Sequence, residues 1–114
     1  MASSSEFHDF VLDQLAGLGE LRSRKMFGEY GIYCDDLFFA LIADESFWLK
    51  VDDVNRPRFE ARGMKPFSPW ESPKPMQYYE VPLDVLEDPG QLREWAGEAV
   101  EVAARAPKRK KRKK

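Results

Sequence analysis

The side chains that could do chemistry in this chain are few. His8 is its single histidine and Cys34 its single cysteine, so there is no second nitrogen or sulfur to complete a zinc set and no partner for an intramolecular disulfide. Ser-His-Asp and Cys-His schemes need a base held beside a nucleophile. His8 falls within the first turns of the chain, on the polar side of a helix, and reads as a surface histidine. Cys34 reads as a buried strand residue. Carboxylates pair at Asp35-Asp36, Asp44-Glu45 and Asp52-Asp53, and paired acids can divide acid and base roles where their environments differ. Each pair falls at a turn or cap, where solvated turn chemistry accounts for it. Phe27-Gly28-Glu29-Tyr30-Gly31 has neither the spacing nor the lysine of a phosphate-binding loop. These residues predict a protein that is not an enzyme and that takes no cofactor and no metal.

Association chemistry is better supplied. Lys108, Arg109, Lys110, Lys111, Arg112, Lys113 and Lys114 form an unbroken basic run. Such a run favours sequence-blind contact with nucleic acid or another polyanion, with a log–log salt slope of about −6 on duplex. Setting those seven aside leaves 11 Lys+Arg against 20 Asp+Glu, a formal charge of −9. An acidic body repels phosphate backbones unless its cations are gathered on one face. Arg22, Arg24, Lys25, Phe27 and Tyr30 interleave cations with rings, which suits base stacking beside phosphate contacts and suits core aromatics flanked by surface charge equally well. Arg24 is expected to be a structural partner for one of the acidic turns.

The elements that must position these residues can be read from period and punctuation. The chain has 114 residues, 43% of them apolar and 13% aromatic, enough for one core; each buried Phe or Leu contributes about 1.5–3 kcal/mol. One domain over residues 1–106 and a disordered basic tail over 107–114 are expected. Phe7, Phe10, Val11, Gln14, Leu15 and Leu18 follow a helical rhythm behind the cap candidates Ser3 to Ser5, and Gly17 and Gly19 end it. Runs at Arg24–Phe27, Tyr30–Cys34, Leu37–Ala43 and Phe47–Val51 predict an antiparallel meander, with a bend or tight hairpin across Phe27 to Gly31. Asp53 or Asn55 caps a short helix ending at Gly63, with Pro57 in its first turn. Pro66, Pro69, Pro73 and Pro75 make residues 64–77 a loop with an edge segment at Phe67, and Gln77–Val81 a last strand. Asp88, Pro89 and Gln91 mark a helix start. The result is an α+β two-layer sandwich, order α-β-β-β-(β)-α-β-(β)-α, with helices segregated to a face of an antiparallel sheet. No run approaches the ~18 apolar residues of a membrane span, and MASSSEFHDF lacks the pattern of a leader, so a cytoplasmic protein with no membrane partner is expected.

Leu37–Ala43 is apolar on both sides of the strand. Strict alternation puts Phe39 and Leu41 on one face and Phe38, Ala40 and Ile42 on the other, where Trp48 and Tyr33 extend the surface. Three helices can cover both faces of such a sheet, or leave one open. An open apolar face marks an interface, with a protein partner or a second copy of the chain, and then Phe38, Ala40, Ile42 and Trp48 are its candidate residues. On that reading Ile42→Asp dissociates a homodimer and leaves the chain folded.

Arg24-Lys25-Met26-Phe27-Gly28-Glu29-Tyr30-Gly31-Ile32-Tyr33, Phe39-Ala40-Leu41-Ile42 and Trp48-Leu49-Lys50-Val51 resemble the N-terminal domain of the TfoX/Sxy family. Met64-Lys65-Pro66-Phe67, Met76-Gln77-Tyr78-Tyr79-Glu80-Val81-Pro82 and the Leu92 to Trp95 helix continue the likeness in the same order, over roughly residues 6–105. The resemblance implies a fold similar to that of secretion chaperones and no catalytic residues. It also implies a link to regulators of natural competence, which act on transcription with the cyclic-AMP receptor protein. The second, helical domain of the full-length regulators is not expected in this chain, where a basic tail stands at the point it would begin. The resemblance therefore points to a non-enzymatic regulatory or adaptor module. Its motif residues Arg24, Met26, Phe27, Gly28, Gly31 and Tyr33 are expected to fold a hairpin.

Overall fold

The computed structural model describes residues 5–26, 29–43, 46–66 and 77–105. Helix α1 (Ser5–Gln14) is followed by strands β1 (Leu21–Met26), β2 (Glu29–Cys34), β3 (Leu37–Ala43) and β4 (Ser46–Lys50), then α2 (Arg56–Glu60), β5 (Tyr78–Glu80), α3 (Leu83–Leu86) and α4 (Pro89–Arg105). The strands form one antiparallel sheet in sequential order β1-β2-β3-β4-β5. The helices pack against one face, making the expected α+β two-layer sandwich.

Local signals explain most of the element ends. Gly17 adopts φ +94° just after α1, a region open to glycine at no steric cost. Gly19 approaches β2 so closely that a Cβ there would lie 2.7 Å from Cys34 Sγ. Asp88 caps α4 as its spacing predicts: Oδ1 accepts from the amides of Gly90 (3.0 Å) and Gln91 (3.3 Å), and the Gln91 side chain donates back to Oδ2 (3.0 Å). Asn55 stands at the start of α2 but does not cap it with its side chain. Its amide instead accepts from the Asp52 amide (2.9 Å) and donates to the Lys50 carbonyl (3.0 Å), holding the chain where it leaves β4. Asn55 is the buried polar residue of the described core, and pairing both ends of its amide removes the cost of burying it.

Several expectations need revision. β1 begins at Leu21, three residues earlier than the apolar run suggests, and Gly31 lies inside β2. The hairpin closes between Met26 and Glu29, which pair directly. Leu83–Leu86 forms a one-turn helix too short for periodicity to reveal. Asp35 and Asp36 turn between β2 and β3 with φ of 50° and 69°, the double positive φ of a two-residue hairpin. The expected edge segment at Phe67 and the turn at Asp44-Glu45 lie outside the described residues, although Pro66 bridges Tyr79 beside β5.

The largest revision concerns β3. Tyr33 pairs with Phe38, but Ile32 pairs with Ala40, so Phe39 is an extra residue in β3. A bulge of this kind reverses the alternation beyond it. Ala40 and Ile42 face the helices together with Ile32, and both are fully buried in the core with Val11, Phe47 and Leu49. The grouping of Ala40 and Ile42 with Phe38 and Trp48 by strict alternation is therefore wrong.

Candidate interaction surface

Facing residues in paired strands share a face of the sheet, so the register identifies the side away from the helices. It carries Arg22 and Arg24 from β1, Tyr33 from β2, Phe38 and Leu41 from β3, Trp48 and Lys50 from β4, and Tyr78 from β5. Rings run across it. Tyr33 and Phe38 stack with centroids 5.0 Å apart, Phe38 meets Tyr78 at 5.9 Å, and Lys50 Nζ sits 5.2 Å from the Tyr78 centroid. The Trp48 indole donates to the Ala43 carbonyl at 3.1 Å, which fixes the ring. Tyr33, Phe38 and Trp48 are half-buried, whereas Tyr78 is only 4% exposed. Burial, and then the nearby Tyr33 phenol, pushes the Tyr78 hydroxyl up to about 12.

The two arginines of β1 differ in their surroundings. Arg22 reaches Asp36 in the β2–β3 turn, so the acidic turn is served by Arg22 and not by Arg24. Arg24 lies opposite Gly31, is exposed, and takes part in none of the ion pairs among the described residues. A shallow hollow of about 260 Å³ is lined by Arg22, Ser23, Arg24, Tyr33 and Asp36. A second hollow, about 310 Å³, opens between α1, α3 and the ends of β4 and β5, with Phe7, Met64 and Leu83 on its walls.

Of the predicted site residues, Tyr33, Phe38 and Trp48 come together on the helix-free face, and Arg24 lies at its margin. Ala40 and Ile42 are excluded from it by the bulge. Met26 is placed by its backbone pairing alone; Phe27, Gly28 and Lys108 to Lys114 lie outside the described residues. Leu41, Lys50 and Tyr78 were not foreseen. The adjacent pair Tyr78-Tyr79 carried the signal for the last of these, because a strand must send one tyrosine to each face.

His8 departs from the expected surface histidine. Its side chain is 15% exposed, its ring lies 4.3 Å from that of Tyr30, and its nitrogens bond Ser23 Oγ (2.8 Å) and Asp9 Oδ1 (3.0 Å). The connectivity is that of an Asp-His-Ser chain. Asp9, however, is the next residue along and its carboxylate is 78% exposed, so it lacks the burial that lets a carboxylate orient a catalytic imidazole. His8 acts as a clip, joining α1 to β1 through Ser23 and to β2 through Tyr30. Burial, with Asp35 nearby, raises the Cys34 thiol above its ordinary value, away from the thiolate a nucleophile needs. Among the described residues no group of three or more His, Cys, Asp or Glu gathers to hold a metal, and no helix is long and apolar enough to cross a membrane.

Known proteins resemble this arrangement in sequence. A 60-residue stretch is 35% identical to an uncharacterized 12.7 kDa protein in the trpE 5′ region of Spirochaeta aurantia, covering 53% of this chain and 52% of that protein. The chain thus spans about half the length of the curated relative it matches. The family model described as the TfoX N-terminal domain matches residues 13–103, from the end of α1 almost to the end of α4. That span holds the whole sheet and the helix that closes its core, and the chain belongs to the TfoX N-terminal domain family.

Proposed function

We propose that this domain is a non-enzymatic regulatory or adaptor module that binds a protein partner through the helix-free face of its sheet. The row of rings from Tyr33 through Phe38 to Tyr78, bordered by Arg24 and Lys50, carries the reading. Half-buried aromatics with cations at the margin have the composition of a binding patch. The resemblance to competence regulators suggests transcriptional control in the cytoplasm as its setting. The domain extends over residues 1–106, and Lys108 to Lys114 add loose, salt-labile attraction to nucleic acid.

A photo-crosslinking amino acid at Phe38, compared with one at Arg93 on α4, tests the face in the native host. Adducts with another protein at position 38 alone support the module. Adducts of doubled subunit mass at 38 replace it with a homodimeric adaptor, and equal adducts at both positions reject the face. Removing residues 107–114 should abolish retention on duplex DNA, whose log–log salt slope with the tail present should be about −6.

A further inference from the structure

We infer that the outer edge of β1 takes up an extended acidic segment of another protein, which joins the sheet as a sixth strand. The inference rests on the reading of the domain as a protein-binding module, but uses a different surface from the aromatic face.

The two ends of the sheet are built differently. β5 has three residues, Pro66 bridges Tyr79 beside it, and the Glu80 amide donates to the Lys65 carbonyl at 3.2 Å. β1 has six residues, and among the described residues nothing pairs with its outer side. An edge of that length presents alternating amides and carbonyls to an incoming strand. Its charge selects the strand. Arg22, Arg24 and Lys25 are exposed within a body that is otherwise acidic. Register places Arg22 and Arg24 on the helix-free side and Lys25 on the other, so acidic side chains pointing to either side of an added strand meet a cation. In the hollow between Arg22, Arg24 and Tyr33 the Asp36 carboxylate already engages Arg22, which leaves Arg24 as the cation for one of them.

Two other occupants fit less well. A second copy pairing β1 with β1 would set cations against cations, which is unfavourable across neighbouring strands. A nucleic-acid strand offers phosphates but no matching row of amides and carbonyls, and the acidic body repels a polyanion. Charged edges also serve as a guard against aggregation, so the experiment must separate a guard from a site.

The probe is a fluorescent eight-residue peptide alternating Glu and Val, titrated into the full chain by anisotropy, with amide shifts followed by NMR. Saturable binding that shifts amides of Leu21 to Met26 and not those of Tyr78 to Glu80 is expected. Arg24→Glu should weaken it about five- to tenfold, and Arg24→Gln less, as expected for exposed charge pairs. Substituting Lys for each Glu, or N-methylating every second residue at unchanged charge, should abolish it. Absence of binding, equal binding of the N-methylated peptide, shifts centred elsewhere, or tighter binding of an eight-nucleotide oligothymidylate to β1 would each overturn the inference. Should a variant misfold, the shifts in the unaltered chain still decide. Peptide failure with Phe38 cross-links retained removes the edge alone; the reverse pattern removes the face alone.

Discussion

Leu41 and Ile42 are neighbours in β3 and belong to different environments. Ile42 is fully buried in the cluster that α1, α3 and α4 close over β2, β3 and β4. Leu41 is 8% exposed on the opposite side, between Gly31 of β2 and Trp48 of β4. The helix-covered side is apolar and its helices are tied down at their margins: Arg58 reaches Glu94 from α2 and lies 5.0 Å from the Trp95 ring, Arg62 reaches Asp84, and Arg105 grips Asp52 with two bonds. The other side mixes rings, cations and the phenols of Tyr33 and Tyr78. Apolar content alone therefore does not distinguish a core from a binding surface; the distinction lies in what the apolar atoms are mixed with.

The harshest way to break this comparison is to place the same charge on each side. Ile42→Asp buries a carboxylate with no partner and should destabilise the fold by more than about 4 kcal/mol, leaving a chain without a cooperative thermal transition. This replaces the expectation that the variant dissociates but stays folded. Phe38→Asp, on the half-buried side, should give a folded protein by circular dichroism.

Alkali sharpens the comparison next. The Tyr78 hydroxyl, raised to about 12, favours its neutral form in the folded state, so its contribution is complete below the ordinary phenol value near 10 and is lost as pH rises towards 12. The loss should reach about 2–3 kcal/mol in urea titrations, and Tyr78→Phe should flatten it. Acid acts on the helical layer with the opposite sign. Side-chain and backbone bonds from Gln91 lower the Asp88 carboxyl, so its cap is complete above the ordinary carboxylate range and fades as pH falls through the lowered value. Asp88→Ala should lower the thermal midpoint at pH 7 and erase that part of the acid response. The smallest effect belongs to the sheet edge: Arg24→Gln should change stability by less than about 0.5 kcal/mol, and Arg22→Gln, which frees Asp36, should cost more than Arg24→Gln in the same assay.

What could be read from the chain follows the range of the forces involved. Asp88, Pro89 and Gln91 announce α4 because a cap is made within one turn. Tyr30–Cys34 and Leu37–Ala43 announce strands because short runs of apolar, β-branched and aromatic residues between turn residues are a local signal. The bulge at Phe39 was not legible, since an extra residue exists only relative to β2, and with it went the correct partition of Phe38, Ala40 and Ile42. The choice of Arg22 over Arg24 for Asp36 depends in the same way on register. The clip between His8 and Ser23 joins residues brought together by α1 folding back on the sheet, a contact no spacing encodes. The candidate face was half visible: its rings were, and their arrangement was not.

The close approach of Gly19 to Cys34 makes the protein's one thiol a clock. Cys34 is 1% exposed and can react with an alkylating reagent only when the structure around it opens, as when the connection between α1 and β1 lifts away, so the rate of labelling under native conditions reports how often that corner breathes. A rate equal to that of global unfolding means the first helix leaves only with the rest of the molecule, and a faster one means it peels off first.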